Sequence, residues 1–231
     1  MIYQQGSIMW LRQKLGKISG SNVHKLMGNA KKKGELSAVT KTYCDELVCD
    51  IVYGEPEEET FTSRDMERGL ELEPCAIEAF CEYMEKKNPM NPVTVEEVGF
   101  ITHPDNPKFG VSLDGKVSDG GILEIKCRKR KGHLTQFKII AKVKNEEELT
   151  TAEKLVIAHY QRQWGMYCTN STHSYFVGYT DELDMDKGAL IVHRFERDQE
   201  LIDEMEVKAE KALKYISEKV IEYKELIEEN K

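Results

Sequence analysis

Residues 111–126 read Val111-Ser-Leu-Asp114-Gly-Lys-Val-Ser-Asp-Gly-Gly-Ile-Leu-Glu124-Ile125-Lys126. An apolar run ends in Asp114-Gly115, Ser-Asp-Gly-Gly is a turn signal, and a second apolar run carries Glu124 and Lys126 two residues apart. Two such runs about a Gly-rich turn predict a β-hairpin. Alternate side chains of a strand share a face, so Glu124 and Lys126 project together while Leu123 and Ile125 fill the other side. Folding one strand back along the other brings Asp114 beside Glu124. Two carboxylates and an ammonium then converge on one point.

That donor set suits a hard divalent cation such as magnesium. Such an ion takes oxygen ligands and keeps several waters, so two carboxylates and a backbone carbonyl are enough protein. A lysine beside the ion positions or deprotonates the attacking water, which phosphodiester hydrolysis requires. The plainer reading makes Asp114 a turn residue and Glu124 and Lys126 a solvated strand face. Either half of the motif alone favours the plainer reading; both halves one hairpin apart set a metal site against it.

The chain around this hairpin has 231 residues, 40% hydrophobic and 32% charged, a length and balance that suit one self-supporting globular domain. No apolar run approaches the roughly 20 residues of a membrane helix. The N-terminus lacks a signal-peptide pattern, so a cytoplasmic protein is expected. Six cysteines without a Cys-x-x-Cys pair read as small buried apolar residues in a reducing compartment.

Net charge is −8, but it is unevenly spread: residues 1–33 hold seven Lys/Arg and residues 126–144 hold eight, with no Asp/Glu in either. A basic surface on an acidic body is the footprint of a polyanionic partner. Runs such as Lys31-Lys32-Lys33 also read simply as solvated loops.

From the N-terminus, Trp10 through Gly28 predicts a short helix over about Asn22 to Met27, capped by Ser19, Gly20 or Ser21 and ended by Gly28. Its N–H groups, with Ser21 and Lys14, form a cup for a phosphate, although plain capping accounts for the same residues. A helix follows over 40–53, then an acidic loop from Glu55 to Glu59 with Pro56. A long helix begins at Ser63, with a kink or restart expected near Gly69–Glu73 because Pro74 sits inside it. Glu73 there is either a solvated acid or a third carboxylate leaning over the metal site.

Strands over Val98–Thr102, Phe109–Val117 and Ile122–Cys127 are expected as a meander. The basic segment 128–133 leaves the last of these and runs into a loop or lid up to about Leu149. Thr151 to Cys168 reads as one helix. On it Gln161 and Gln163 lie about 200° apart, so at most one faces the site; in the competing account both are surface residues and Trp164, Tyr160 and Tyr167 pack inward. Two more strands, Ser174–Tyr179 and Leu190–Phe195, precede a charged helix from Asp198 on. Its stripe of Ile202, Met205, Ala209, Ala212, Ile216, Val220, Tyr223 and Ile227 is expected to lie on the body rather than form a coiled coil.

This order resembles the PD-(D/E)XK nuclease superfamily, and within it the phage lambda-type exonucleases or YqaJ-like viral recombinases. The resemblance spans nearly the whole chain. Trp10 through Ser21 looks like the family's N-terminal motif, with Ser19-Gly20-Ser21 in place of Thr-Ala-Ser. Gly69-x-x-x-Glu73 matches the helix of the first acid. Ser112-Leu-Asp114-Gly-x-x-Ser-Asp-Gly120 with Leu123-Glu124-Ile125-Lys126-Cys127 is close to the catalytic hairpin, and Gln161-x-Gln163 to the glutamine helix.

The resemblance implies an α/β protein with a restriction-endonuclease-like core, a central mixed sheet flanked by helices. It also implies a single domain over 1–231, with an N-terminal helical DNA-end-binding segment (about 1–60) and a C-terminal packing helix (about 198–229). The implied activity is a magnesium-dependent exonuclease, with manganese expected to substitute, digesting one strand of duplex DNA from a free 5′ end. A homotrimer and a single-strand annealing partner are implied with it. Asp114, Glu124 and the carbonyl of Ile125 would bind the ions, Glu73 would complete the second ion's shell, Lys126 would activate water, and Gln161 would help hold that lysine or the scissile phosphate. Ser21 and Lys14, with Arg12 nearby, would receive the 5′-phosphate, and Arg128, Arg130 or Lys131 the backbone. Two departures stand out: Lys14 replaces an arginine, giving a point charge rather than a bidentate fork, and Arg128–Lys131 is more basic than the family pattern. Rival readings are a structure- or site-specific endonuclease on the same fold, a non-catalytic nucleic-acid-binding module, and an RNA substrate.

Overall fold

The structure, a computed structural model, describes residues 3, 7–32, 34–55 and 64–231. The loop expected beyond Glu55, the helix start at Ser63 and Lys33 lie outside the described residues.

In chain order the elements are α1 (Ile8–Lys14), β1 (Ile18–Ser19), a 3-10 turn (Val23–Met27), α2 (Ala38–Tyr53), α3 (Arg64–Lys87), β2 (Val95–Glu96), β3 (Phe100–Thr102) and β4 (Phe109–Ser112). After them come β5 (Gly115–Val117), β6 (Ile122–Cys127), α4 (Arg130–Lys144), α5 (Thr151–Val156), α6 (His159–Thr169), β7 (His173–Tyr179), β8 (Leu190–Glu196) and α7 (Gln199–Glu229). The main sheet has the order β2-β5-β6-β7-β8 and a smaller one β1-β4-β3. Among the described residues only β6–β7 and β1–β4 pair parallel. These are the mixed sheets flanked by helices that the fold class requires, and a parallel β6–β7 pair needs the long crossover that α4 to α6 supply.

The hairpin forms with Gly115 opposite Leu123, which sets Asp114 across from Glu124. Gly120 in its turn has φ +91, a conformation glycine adopts without steric cost.

The single strand expected over Phe109–Val117 is instead two strands in two sheets, broken at Leu113-Asp114. Asp114 turns inward and its Oδ2 accepts the Ile125 N–H at 2.6 Å. A side chain has taken the place of a ladder carbonyl, so pairing stops there. The expected meander becomes β3 against β4 and, separately, β5 against β6.

Other boundaries shift for local reasons. α3 runs through Pro74 without interruption; the carbonyl that proline leaves without a donor belongs to Leu70, which is exposed and faces solvent. The loop expected up to Leu149 is largely the helix α4, whose buried Gln136, Ile139 and Ile140 keep helical spacing beneath a basic surface. The helix over Thr151–Cys168 divides at Ile157-Ala158, where Ala158 is left-handed (φ 50) and the freed Ile157 carbonyl accepts from Arg162 Nε at 3.0 Å. A capping box between Thr150 and Glu153 starts α5.

Residues 23–27 form a 3-10 turn, not an α-helix. Asn22 precedes it, with no side-chain cap.

α3 covers one face of the main sheet, packing Ala76 and Phe80 on Leu123, Ile125, Tyr175 and Val177. The other face carries Ile122 toward Trp164, Phe109 and α7, and Phe176 and Ile191 toward α4's Ile139 and Ile140. α7 buries Ile202, Met205, Ala209, Ala212 and Ile216. Beyond Val220 it outruns the body: Tyr223 and Ile227 are exposed, as a helix about 46 Å long permits. Cys44 and Cys168 are buried as expected, whereas Cys49 and Cys75 are exposed on the outer faces of α2 and α3. Among the described residues no helix is long and apolar enough to cross a membrane.

Candidate active site

Glu124 shares its face of β6 with Ile122 and is 1% exposed, so its charge sits among apolar side chains. Lys126 Nζ lies 2.6 Å from Glu124 Oε1, with a quarter of the lysine side chain open to solvent. That oxygen is in ion-pair range of the ammonium yet accepts no hydrogen bond of regular geometry among the described residues. Burial raises the Glu124 carboxyl to about 7, with Asp114 adding to the rise and Lys126 opposing it. Asp114 is also raised, first by burial, against Lys126 and the Ile125 N–H. Burial would lower the Lys126 ammonium, but Glu124 and Asp114 outweigh it and hold it above its ordinary value.

Glu73 comes within electrostatic reach of this group from α3. Burial, then Asp114 and Glu124, push its carboxyl up to about 7. Three acids thus face one lysine, and like charges at short range disfavour the ionised forms. That surplus negative charge, carried on carboxylate oxygens, fits a hard divalent cation. Among the described residues no three His, Cys, Asp or Glu side chains stand close enough to form a ligand set. Glu73, expected in the ligand set with Asp114 and Glu124, is within electrostatic reach of both.

Gln163 is not available to the site. It is 2% exposed, donates to the Glu196 carbonyl at 3.0 Å and accepts from the Asp198 N–H at 2.9 Å, tying α6 to the start of α7. The account that left both glutamines on the surface therefore fails. Gln161, half-buried, lies toward Gly20: a Cβ on Gly20 would stand 3.6 Å from Gln161 Cγ and 2.9 Å from Val111.

That close approach brings the N-terminal segment to the site. β1 pairs with β4, Gly20 N–H donates to the Gly110 carbonyl at 3.1 Å, and Trp10 Nε1 donates to Ser112 Oγ at 3.1 Å. Lys14 Nζ lies 4.0 Å from the Trp10 ring centroid, and burial lowers its ammonium to about 8 against the pull of Asp50. Ser21 is exposed with its Oγ 3.2 Å from Ser19 Oγ. The helix N-terminus expected to cup a phosphate is only the five-residue 3-10 turn, too short to build a useful dipole.

On the far side, Arg128, Arg130 and Lys131 are exposed. Arg130 is engaged by Glu182, through its N–H at 2.9 Å and its guanidinium at 3.7 Å, while Lys129 meets Asp65 at 3.6 Å and Arg68 pairs with Asp181. Arg12 is exposed on α1.

The sequence reading missed two buried residues. Gln136 is wholly buried and donates to the Lys126 carbonyl at 3.1 Å, pinning α4 to the end of β6. Arg162 is wholly buried, bonds Ile157 and Ser174, lies 3.6 Å over the Phe195 ring and helps hold Glu124 ionised. The spacing of Gln136 with Ile139, Ile140 and Val143 is a helical signal masked by the surrounding basic residues; a lone arginine between two glutamines gives no signal at all.

A family model described as a YqaJ-like viral recombinase domain matches residues 9–172. Among solved structures, an alkaline exonuclease from Laribacter hongkongensis superimposes with a TM-score of 0.74 and 29% identity, over 97% of this chain and 100% of that chain. The same enzyme in complex with dAMP gives the same figures. A phage-related exonuclease from Haemophilus somnus 129PT shares the fold at a TM-score of 0.64 and 18% identity, over 90% of this chain and 96% of that one. No curated protein matches the sequence. With the hairpin, the helix of Glu73 and the helix of Gln161 all inside the matched span, the chain belongs to the family of YqaJ-like viral recombinase domains.

Proposed function

We propose that this chain is a divalent-metal-dependent DNA exonuclease that digests one strand of linear duplex from a 5′ end. The observation that carries the reading is the convergence of half-buried Asp114 and buried Glu124 with Lys126 at the break between two sheets. The exonuclease neighbours support the reaction class.

Asp114, Glu124 and the carbonyl of Ile125 would hold magnesium, or manganese in its place, with Glu73 completing a second position. Bound there, a metal would neutralise the carboxylates and supply stabilisation of charge on the phosphoryl oxygens. Lys126 is an ammonium while Glu124 and Asp114 carry charge; it orients the attacking water as a donor and becomes a base only as that charge is neutralised. Gln161 positions Lys126 or the scissile phosphate, and Gln136 fixes the strand end that carries Lys126.

Lys14 and Ser21, with Arg12, receive the 5′-terminal phosphate, and Arg128, Arg130 and Lys131 grip the backbone, Arg130 by exchanging Glu182 for phosphate. The whole chain works as one nuclease unit, as a homotrimer beside a single-strand annealing protein. Incubation with covalently closed circular and linear duplex in Mg²⁺ tests the reading. Nucleotides released from the linear form alone support an exonuclease; cutting of the circle shows an endonuclease, and no release from either ends the proposal. Labelled duplex with and without a 5′-phosphate reads polarity and the role of Lys14.

A further inference from the structure

The outer face of α4 has an unusual composition for a solvated helix. Lys131, Leu134, Phe137, Lys138 and Lys144 all point to solvent, and Leu134 is 55% and Phe137 37% exposed. No ion pair joins Lys131, Lys138 or Lys144 to any acid among the described residues. At helical spacing the side chains make two short rows: Lys131–Leu134–Lys138, with an apolar group between two cations, and Phe137–Ala141–Lys144, with an aromatic ring two steps from a cation.

Phe137 is held in place rather than loose. The His133 ring meets it edge-on, with centroids 5.1 Å apart and planes at 88°. His133 Nε2 lies 2.8 Å from the Gly188 carbonyl, and Phe137 rests against Gly188, where a Cβ would come within 3.1 Å of Cζ. The residue before it, Gln136, is bonded to the Lys126 carbonyl, so this turn of α4 is anchored to the end of the strand bearing the candidate site.

We propose that the outer face of α4 is a stacking platform for single-stranded DNA, with Phe137 and Leu134 receiving bases and Lys131, Lys138 and Lys144 receiving phosphates. Exposed rings beside cations suit unpaired strands, because a duplex buries its base faces whereas a single strand offers them. Lysines without acids match a polyanion, and their contribution is sensitive to salt. The surface continues directly from the strand end of Lys126. The proposal rests on the nuclease reading for the source of the strand, but the binding itself does not require turnover.

The test is equilibrium binding of a labelled oligothymidylate and of a blunt duplex to the full chain in EDTA, where hydrolysis does not intervene. Phe137→Ala is expected to weaken the single strand about tenfold, the scale of one lost base stack, and to leave the duplex within about twofold. Phe137→Trp keeps or improves single-strand affinity, which separates stacking from folding. Lys138→Gln is expected to lower the salt slope by about 0.7 for a single strand.

Unchanged oligothymidylate affinity in Phe137→Ala, an equal loss on the duplex, or a tryptophan that does not restore binding overturns the proposal and leaves the face to a protein partner. A chain that binds strands through Phe137 but releases no nucleotide from linear DNA removes the nuclease reading and keeps this one. Nucleotide release with Phe137 irrelevant to binding removes only this one.

Discussion

Asp114 and Asp119 stand five residues apart in the same hairpin, at opposite ends of β5, and their carboxyls are displaced in opposite directions. Asp119 takes the Tyr175 hydroxyl at 2.7 Å and the Gly121 N–H at 3.0 Å, with His173 Nε2 3.2 Å away. Burial would raise it, but these partners outweigh burial and hold it below the usual range. Asp114 takes one backbone N–H and is raised by burial, which outweighs that N–H and Lys126. The turn end is an acid whose partners came with the fold; the open end is an acid still short of positive charge. That asymmetry within one supersecondary unit makes the open end the candidate site, because perturbed carboxyls cluster at functional sites.

The sharpest break of this comparison is kinetic. Asp114→Asn, Glu124→Gln or Lys126→Ala is expected to lower nucleotide release from linear duplex by about 10³-fold or more, while Asp119→Asn keeps the rate within about threefold. Equal losses at both ends, measured in saturating Mg²⁺, would erase the distinction.

Stability should run the other way. Asp119→Ala is expected to cost about 2 kcal/mol in urea unfolding, a charged hydrogen-bond network discounted for partial exposure. Asp114→Asn, by relieving repulsion, should be neutral or stabilising in EDTA. A large loss in Asp114→Asn would mean that the site is built like the turn.

Proton linkage sharpens the same contrast. Glu73 and Glu124 titrate near 7 in the folded chain against about 4.5 unfolded, so the folded state holds more protons between those values. Their contribution to stability is present below about 4.5, is lost as pH rises to about 7, and is constant above. Asp119, being lowered, contributes above its unfolded value near 3.8 and loses that contribution as pH falls through its folded value. Thermal unfolding in EDTA should show the first trend, Glu124→Gln should flatten it, and Mg²⁺ at pH 8 should raise the wild-type midpoint by several degrees but not that of Glu124→Gln.

The smallest expected effect is that of Tyr175→Phe, which removes one of the donors on Asp119 and should cost about 1 kcal/mol without changing nucleotide release. If activity falls with it, the two ends of the hairpin are coupled through β6 and β7.

Much of the architecture could be read from periodicity. The hairpin, its Gly-rich turn, β7, β8 and the buried stripe of α7 from Ile202 to Ile216 all follow from local alternation or helical spacing. α4 was hidden because eight basic residues over 126–144 obscured the apolar positions beneath them. The break at Ala158 was hidden because its cause is Arg162 reaching back to Ile157, a choice no propensity encodes. Gln161 and Gln163 were separable only as alternatives until Glu196 and Asp198 claimed one of them.

The sequence by itself determined that two carboxylates and a lysine share one hairpin, because strand period and turn chemistry are local and act over a few residues. The tertiary structure alone decided which acids have partners. It also decided that the chain changes sheets at Asp114, that Gln136 and Arg162 are buried around the strand that carries Glu124 and Lys126, and that a basic helix keeps an aromatic ring at its surface. Those outcomes depend on burial and on charges brought together from distant parts of the chain, and both quantities exist only once the packing does.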